Sequence, residues 1–308
     1  MPRIVSLLPS ATEIVCALGF QDQLVGRSHE CDFPPGVAAL PALTAPRFDP
    51  EGASAEVNDR VKRILTDALA VYSVDAARLR ELQPDCIVTQ AQCDVCAVSL
   101  RDVEDAVAQW TGARPRIVSL APWGMAEVFG DMERVAAALG ASARGAEVVG
   151  GLKRRMESIR ARAASADRRP RVACIEWLDP LMGAGNWMPE LIEAAGAASL
   201  LGKAGEHSSW IEFDALAAAD PEVILIAPCG FTMERTAAEL AAITARPGWN
   251  DLRAVRDGSV FLAEGNQYFN RPGPRIAESL EILAEILHPG LFRFGHEGSG
   301  WRRVASAA

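Results

Sequence analysis

Apolar positions along this chain alternate between two spacings. Short continuous runs at 4–8, 24–26, 84–90, 116–120, 170–175, 223–226 and 259–262 have the length of buried strands and are bounded by proline, glycine or polar residues. Between them, apolar residues recur at three- and four-residue steps, which is helical spacing. Ile14, Val15, Ala17 and Leu18 give a first helix stopped by Gly19, and Val57, Val61, Ile64, Leu65 and Leu69 give a second over 53–70. Further helices are predicted at 75–82, at 99–110, through Val128, Met132, Val135 and Leu139, and at 189–195. Residues 38–51, with Pro41, Pro46 and Pro50, read as irregular.

The longest helical pattern covers 142–166. Val148, Val149, Leu152, Met156, Ile159 and Ala163 fall on one stripe, and Arg154, Arg155, Glu157, Arg160 and Arg162 lie off it. Such a helix is roughly 36 Å long, about the width of a small domain. Gly150 and Gly151 each weaken it by about 1 kcal/mol, so two shorter helices are the alternative. After it the pattern restarts: 170–175 echoes 2–7, 216–226 echoes 82–88, and 259–262 echoes 116–120. The expected fold class is therefore α/β, with two Rossmann-like parallel-sheet lobes joined by one long helix. The lobes are expected at 1–141 and 167–308, with 142–166 as the linking helix.

A length of 308 residues with 49% hydrophobic content suits two ordinary globular cores. The net charge of -9 and the lack of a basic stripe exclude nucleic acid as a partner. No apolar run approaches the roughly 18 residues of a membrane span. Residues 1–9 lack the charged region and apolar run of a secretory signal, so the expected location is cytoplasmic, or periplasmic if the true N-terminus is missing. Seven cysteines do not form a disulfide framework, and Cys16, Cys86 and Cys174 lie in apolar runs as reduced core residues. A monomer is expected.

In open parallel sheets the ligand lies outside the carboxyl ends of the strands. The loops there hold Pro9, Ser10, Glu30, Phe33, Gln90, Gln92, Trp123, Glu176, Trp177, Trp187, Trp210, Cys229, Phe231, Gln267, Tyr268, Phe269, Asn270 and Arg271. Flat rings and neutral amides suit a large, flat or amphipathic ligand, because rings supply area at low entropy cost while amides fix orientation. Core packing is the alternative for any one of the tryptophans. The chain has no GxSxG, P-loop, GxGxxG or HExxH signature, so no catalytic residues are assigned and a non-enzymatic role is expected. Cys93 and Cys96 form a CxxC at a predicted helix start. They are a redox or structural pair, plain packing, or, together with His29 and Cys31, a metal site.

Several stretches carry a family resemblance: 3–13 (Arg-Ile-Val-Ser-Leu-Leu-Pro-Ser-Ala-Thr-Glu) with Ala17-Leu18-Gly19, then Asp32-Phe33-Pro34-Pro35, 83–88, and Phe269-Asn270-Arg271-Pro272-Gly273-Pro274-Arg275-Ile276. Over nearly its whole length the chain resembles cobalamin-binding proteins of the BtuF type, within the helical-backbone class of ABC-transporter substrate-binding proteins. The resemblance implies little closure on binding and a corrinoid in a ligand cleft between the lobes. It implies ligand contacts from Phe33, Trp177, Trp210 and Arg271, and an acidic residue on each lobe that docks to an ABC permease. Asp214 fits the second-lobe acid, whereas Ala77 stands at the first-lobe position. Gln90 and Gln92, with the CxxC, stand where the family has a further tryptophan. The leading expectation is non-catalytic binding of cobalamin or a related corrinoid, as a substrate-binding protein of an importer or an unexported relative of one. The alternatives are a siderophore, haem or other metal-chelate binder, and a cytoplasmic corrinoid- or metal-handling protein using Cys93 and Cys96.

Overall fold

The computed structural model describes residues 1–66, 71–92, 100–108 and 114–305. They divide into two compact units, the first covering Met1–Gly52, Glu56–Pro122 and Ala126–Gly151, the second Ala53–Ala55, Trp123–Met125 and Leu152–Ala308.

Up to the long helix the order is β1 (Ile4–Ser6), α1 (Pro9–Ala17), β2 (Leu24–Arg27), β3 (Thr44–Pro46), α2 (Ser54–Thr66), β4 (Tyr72–Val74), α3 (Ala76–Leu82), β5 (Cys86–Gln90), α4 (Leu100–Ala108), β6 (Arg116–Leu120), α5 (Met125–Ala138) and α6 (Ser142–Ala163). Four strands form a parallel sheet in the order β2-β1-β5-β6. In the register, Val5 stands beside Ile87, and Ile87 beside Ile117. The strands read as unbroken apolar runs because helices cover both faces, and every residue of β5 is buried. Val5, Leu7, Leu43, Leu79, Ile87 and Val103 form the core. The proline-rich stretch expected to be irregular contains β3, which pairs antiparallel with β4.

The second unit continues with β7 (Arg171–Trp177), β8 (Met182–Gly183), α7 (Met188–Ala194), β9 (Ala198–Leu200), β10 (Ser209–Trp210), α8 (Phe213–Ala219), β11 (Val223–Ile226), α9 (Met233–Ala238), α10 (Ala241–Thr244), α11 (Arg253–Arg256), β12 (Val260–Ala263), α12 (Ile276–Leu287) and β13 (Trp301–Arg303). Its sheet runs β10-β8-β7-β11-β12-β13, with β9 also on β7. The centre is parallel, as expected, but β8, β10 and β13 are antiparallel additions. Two of these have only two residues, too short to carry any periodicity. Ile175, Leu178, Leu216, Ile224, Ile226 and Leu262 pack the core beneath.

α6 is unbroken through Gly150 and Gly151. Val149, Met156, Ile159 and Ala163 are buried on its apolar stripe, while off the stripe Arg155 pairs with Glu278 at 3.1 Å and Glu281 at 2.8 Å. The helix ends three residues before the predicted Ala166. Ser165 N and Ala166 N donate to Arg162 O and Ala163 O, so the last turn tightens to i−3 bonds and the ladder stops. Among the described residues no helix is long and apolar enough to cross a membrane.

Candidate functional site

In the first unit the strand ends are tied by small polar side chains. Pro9 opens α1, where a missing N–H costs nothing. Ser10 is buried at its start. Thr12 Oγ1 stands 2.8 Å from Ser6 Oγ and 3.0 Å from Cys31 Sγ, which ties the loop after β2 to α1. His29 N donates to Thr44 Oγ1 at 3.0 Å, His29 Nδ1 is 2.7 Å from the same oxygen, and the ring tilts against Tyr72 at 5.3 Å. Burial, helped by the Arg27 charge, holds His29 below its usual pKa. Glu30 is half-buried in the same loop and Phe33 is exposed. Gln90, the last residue of β5, is buried, and beyond it Gln92 Nε2 donates to Pro122 O at 2.8 Å. Asp131, buried in α5, accepts from Ala121 N at 3.0 Å and from Arg134 at 2.6 Å. Burial pushes its carboxyl up to about 6 against the pull of the Arg134 guanidinium.

The expected metal site of His29, Cys31, Cys93 and Cys96 falls only partly within the described residues. Cys93 and Cys96 lie outside the described residues. His29 and Cys31 are engaged by Thr44 and Thr12. Among the described residues no group of three or more His, Cys, Asp or Glu is arranged to hold a metal ion.

The second unit holds more of the predicted aromatic residues. Glu176, at the end of β7, is buried, which pushes its carboxyl up to about 7 although Ser208 and the His207 charge pull it down. Ser208 Oγ donates to Glu176 Oε2 at 2.5 Å and accepts from Gly185 N at 3.0 Å. This fixes residues 203–208 against the segment after β8, where Asn186 N also donates to Glu206 O at 2.7 Å. Gly185 has to be glycine here, since a Cβ would press into the backbone of Glu206, His207 and Ser208. Trp210 follows in β10 and is exposed, as is Trp123, whose ring meets His207 edge-on at 6.5 Å. Half-buried Trp177 lies 5.1 Å from Phe231, and Phe231 lies under the Arg235 guanidinium at 3.8 Å.

Other predicted contacts are in the core. Trp187 is buried at the start of α7. Phe269 is buried in the π-helical turn Gly265–Phe269 after β12. Tyr268 is half-buried, 5.4 Å from the Arg275 guanidinium. Arg271 is buried and donates to Asn266 Oδ1 at 3.0 Å. Asn270 joins two loops, since Cys229 Sγ donates to its Oδ1 at 3.1 Å and its Nδ2 donates to Gly265 O at 3.0 Å. Asp214 is exposed in the first turn of α8. In α3, Ala77 is exposed and Asp75 caps the helix by accepting from Arg78 N at 2.9 Å. A surface hollow of the second unit lined by Arg160, Arg168, Arg169, Glu190 and Glu193 mixes both charge signs and holds none of the predicted ligand residues.

Two residues of this neighbourhood, His207 and Ser208, escape the sequence reading because they do not follow a strand end directly. The signal that could have found them is the set of glycines Gly183, Gly185 and Gly202, which marks two segments in close approach.

Residues 4–266 match the family described as periplasmic binding protein. The chain belongs to this family. The uncharacterized ABC transporter substrate-binding lipoprotein YvrC of Bacillus subtilis (strain 168) is 24% identical over 299 residues, which are 94% of this chain and 81% of the relative. Among solved structures, a periplasmic heme-binding protein from Pseudomonas aeruginosa superposes with TM-score 0.72 at 20% identity, covering 100% of both chains. The periplasmic vitamin B12-binding protein BtuF of Vibrio cholerae superposes with TM-score 0.67 at 19% identity, covering 93% of this chain and 96% of its own. At such identity the structures establish the shared fold. The family and the lipoprotein relative overturn the cytoplasmic expectation and point to an extracytoplasmic location.

Proposed function

We propose that this periplasmic binding protein is the non-catalytic substrate-binding component of an ABC importer and that its cargo is cobalamin or a related corrinoid. The observation that carries the reading is the set of aromatic faces left exposed at strand ends. Phe33, Trp123 and Trp210 are 39%, 37% and 55% exposed, unlike the large apolar side chains of either core. Exposed rings on fixed backbone are the features that a flat, amphipathic macrocycle would cover. Trp177 adds a half-buried indole whose Nε1 has no hydrogen-bond partner among the described residues.

The strand ends carry neutral polar groups, Ser10, Gln90 and Gln92 in the first unit and Gln267 and Asn270 in the second. A corrinoid, fringed by amides, matches such groups. An anionic siderophore or the carboxylates of haem would instead need cations, and Arg271 is engaged with Asn266. A haem or other metal-chelate cargo is the second reading, supported by the heme-binding protein that shares the fold. Asp214 is the residue proposed to meet the permease.

Titration with cyanocobalamin, followed by quenching of the intrinsic tryptophan fluorescence, tests the reading. A dissociation constant in the micromolar range or tighter is expected. No quenching and no affinity tighter than about 1 mM overturns it.

A further inference from the structure

We propose that the exposed side of the last turns of α6, with the loop that follows and the turn after α12, is a docking surface for a bilayer bearing anionic phosphate headgroups. It rests on the reading above in one respect, that the binding component of an importer works beside a membrane. All the residues concerned belong to the second unit.

Charge is unevenly placed along the chain. Residues 153–171 hold eight of its 31 Lys and Arg but only two of its 40 Asp and Glu, Glu157 and Asp167. That segment therefore carries +6, and since the total is -9 the remainder carries -15. A molecule so polarised turns one side to a negative surface. Arg155 is committed to Glu278 and Glu281, and Arg160 to Glu157 at 2.8 Å. Arg154 and Arg168 are exposed and, among the described residues, pair with no carboxylate.

The end of α6 is joined to an aromatic turn. The Arg162 guanidinium lies 5.2 Å from the centroid of the buried Phe292 ring, and Phe292 stacks on Phe294 at 5.7 Å. Phe294 is 42% exposed, and Arg293 between the two rings in sequence is exposed as well. The turn is fixed from below. Glu285 accepts from the backbone N–H groups of Phe294, Gly295 and His296, and from Trp301 Nε1 at 3.0 Å. Phe292 N donates to His288 O at 3.0 Å. Burial lowers the pKa of His288 and the nearby Arg168 charge adds to it, so the loop after α6 reaches the same turn.

Cations and an exposed ring on one fixed surface are the two parts of interfacial binding. Guanidinium groups take phosphate oxygens through paired hydrogen bonds, and a ring enters the boundary between headgroups and acyl chains. The helix itself stays packed through Met156, Ile159 and Ala163, so contact is limited to its surface. An acidic protein offers carboxylates in one fixed arrangement, whereas these cations are spread over a helix, a loop and a turn. A fluid layer of headgroups adapts to that spread. Each cation near such a layer is worth about fivefold in affinity, and the attraction fades within about 10 Å in 0.1 M salt.

The full chain is sedimented with vesicles of phosphatidylcholine alone and of phosphatidylcholine with about one quarter phosphatidylglycerol, at low and high salt. Binding to the anionic vesicles is expected to be at least about tenfold tighter at low salt, with the difference lost at high salt. The triple variant Arg154→Glu, Arg168→Glu, Arg293→Glu should lose this preference, and Phe294→Ala should weaken anionic binding about fivefold. A control with the same change of charge on exposed arginines of the first unit, Arg63→Glu, Arg78→Glu, Arg101→Glu, should keep it. No anionic preference, a preference that the triple variant keeps, or equal losses in the triple variant and the control overturns the surface. Cyanocobalamin quenching of the same proteins separates this from the cargo reading. Quenching without anionic preference overturns the surface alone, and anionic preference without quenching leaves the surface standing while the corrinoid reading falls.

Discussion

Ser208 Oγ donates a 2.5 Å hydrogen bond to Glu176 Oε2 across 32 residues of sequence, and the carboxyl that accepts it is buried. One consequence is mechanical. The loop that carries His207 is anchored to the end of β7, so its position follows the sheet. Another is electrostatic, because a carboxyl in this position is costly to ionise.

Burial pushes Glu176 to about 7 from an ordinary value of 4.5. Over this range the folded protein holds a proton that the unfolded chain releases, so stability is fully present below 4.5 and falls as pH rises through 7. Glu176→Gln keeps the neutral shape and removes the loss. The variant should match the native protein near pH 4 and exceed it at pH 8 by up to about 3 kcal/mol. Urea unfolding at both pH values checks this, and parallel pH profiles for the two proteins would sink it.

Trp210 and Trp187 lie in neighbouring segments of the second unit but have opposite environments. Trp210 is more than half exposed and Trp187 is buried. Trp210→Ala should leave stability within about 0.5 kcal/mol, as for a surface position. It should weaken cyanocobalamin binding by roughly five- to tenfold through the lost ring face. Trp187→Ala should cost about 3–5 kcal/mol of stability as a core truncation. Thermal unfolding and fluorescence titration of both variants separate the roles. Equal stability losses would contradict the assignment.

The difference between these two tryptophans is also where sequence reading stops. The apolar run at 116–120 is β6 as read, and the stripe through Val149, Met156 and Ile159 is the buried side of α6, because periodicity records burial directly. β8 and β10 are too short for any period, and β3 lies among prolines. Whether an indole in a loop packs or projects depends on which distant segment covers it. The bond from Ser208 to Glu176 is likewise a product of the tertiary fold, visible in advance only as a cluster of glycines.

Asp214 is exposed in the first turn of α8, where the amino end of a helix favours a negative charge. Charge reversal in Asp214→Lys should leave cyanocobalamin affinity within about twofold, since a rim charge acts mainly on encounter with a charged partner. It should weaken association with the importer's permease by about tenfold in low salt, with the difference shrinking as salt rises. Binding of the cargo-loaded protein to permease reconstituted in lipid measures it. An unchanged association constant would remove Asp214 from the docking surface.

Two glycines with opposite surroundings give the sharpest test of how the backbone is arranged. Gly151 lies inside α6 with nothing within 4 Å of where a Cβ would stand. Gly151→Ala should therefore stabilise the protein by about 1 kcal/mol through helix propensity alone. A Cβ at Gly185 would press into the backbone of Glu206, His207 and Ser208, atoms that cannot rotate away. Gly185→Ala should cost about 1–3 kcal/mol. It should also displace the loop from Glu176 and so weaken cyanocobalamin binding, whereas Gly151→Ala leaves binding as it is. Urea unfolding with cyanocobalamin titration of the pair reads both effects. A neutral Gly185→Ala would mean that the segment after β8 and the loop at 203–208 are not in close contact, and a destabilising Gly151→Ala would mean that α6 bends where its two glycines stand.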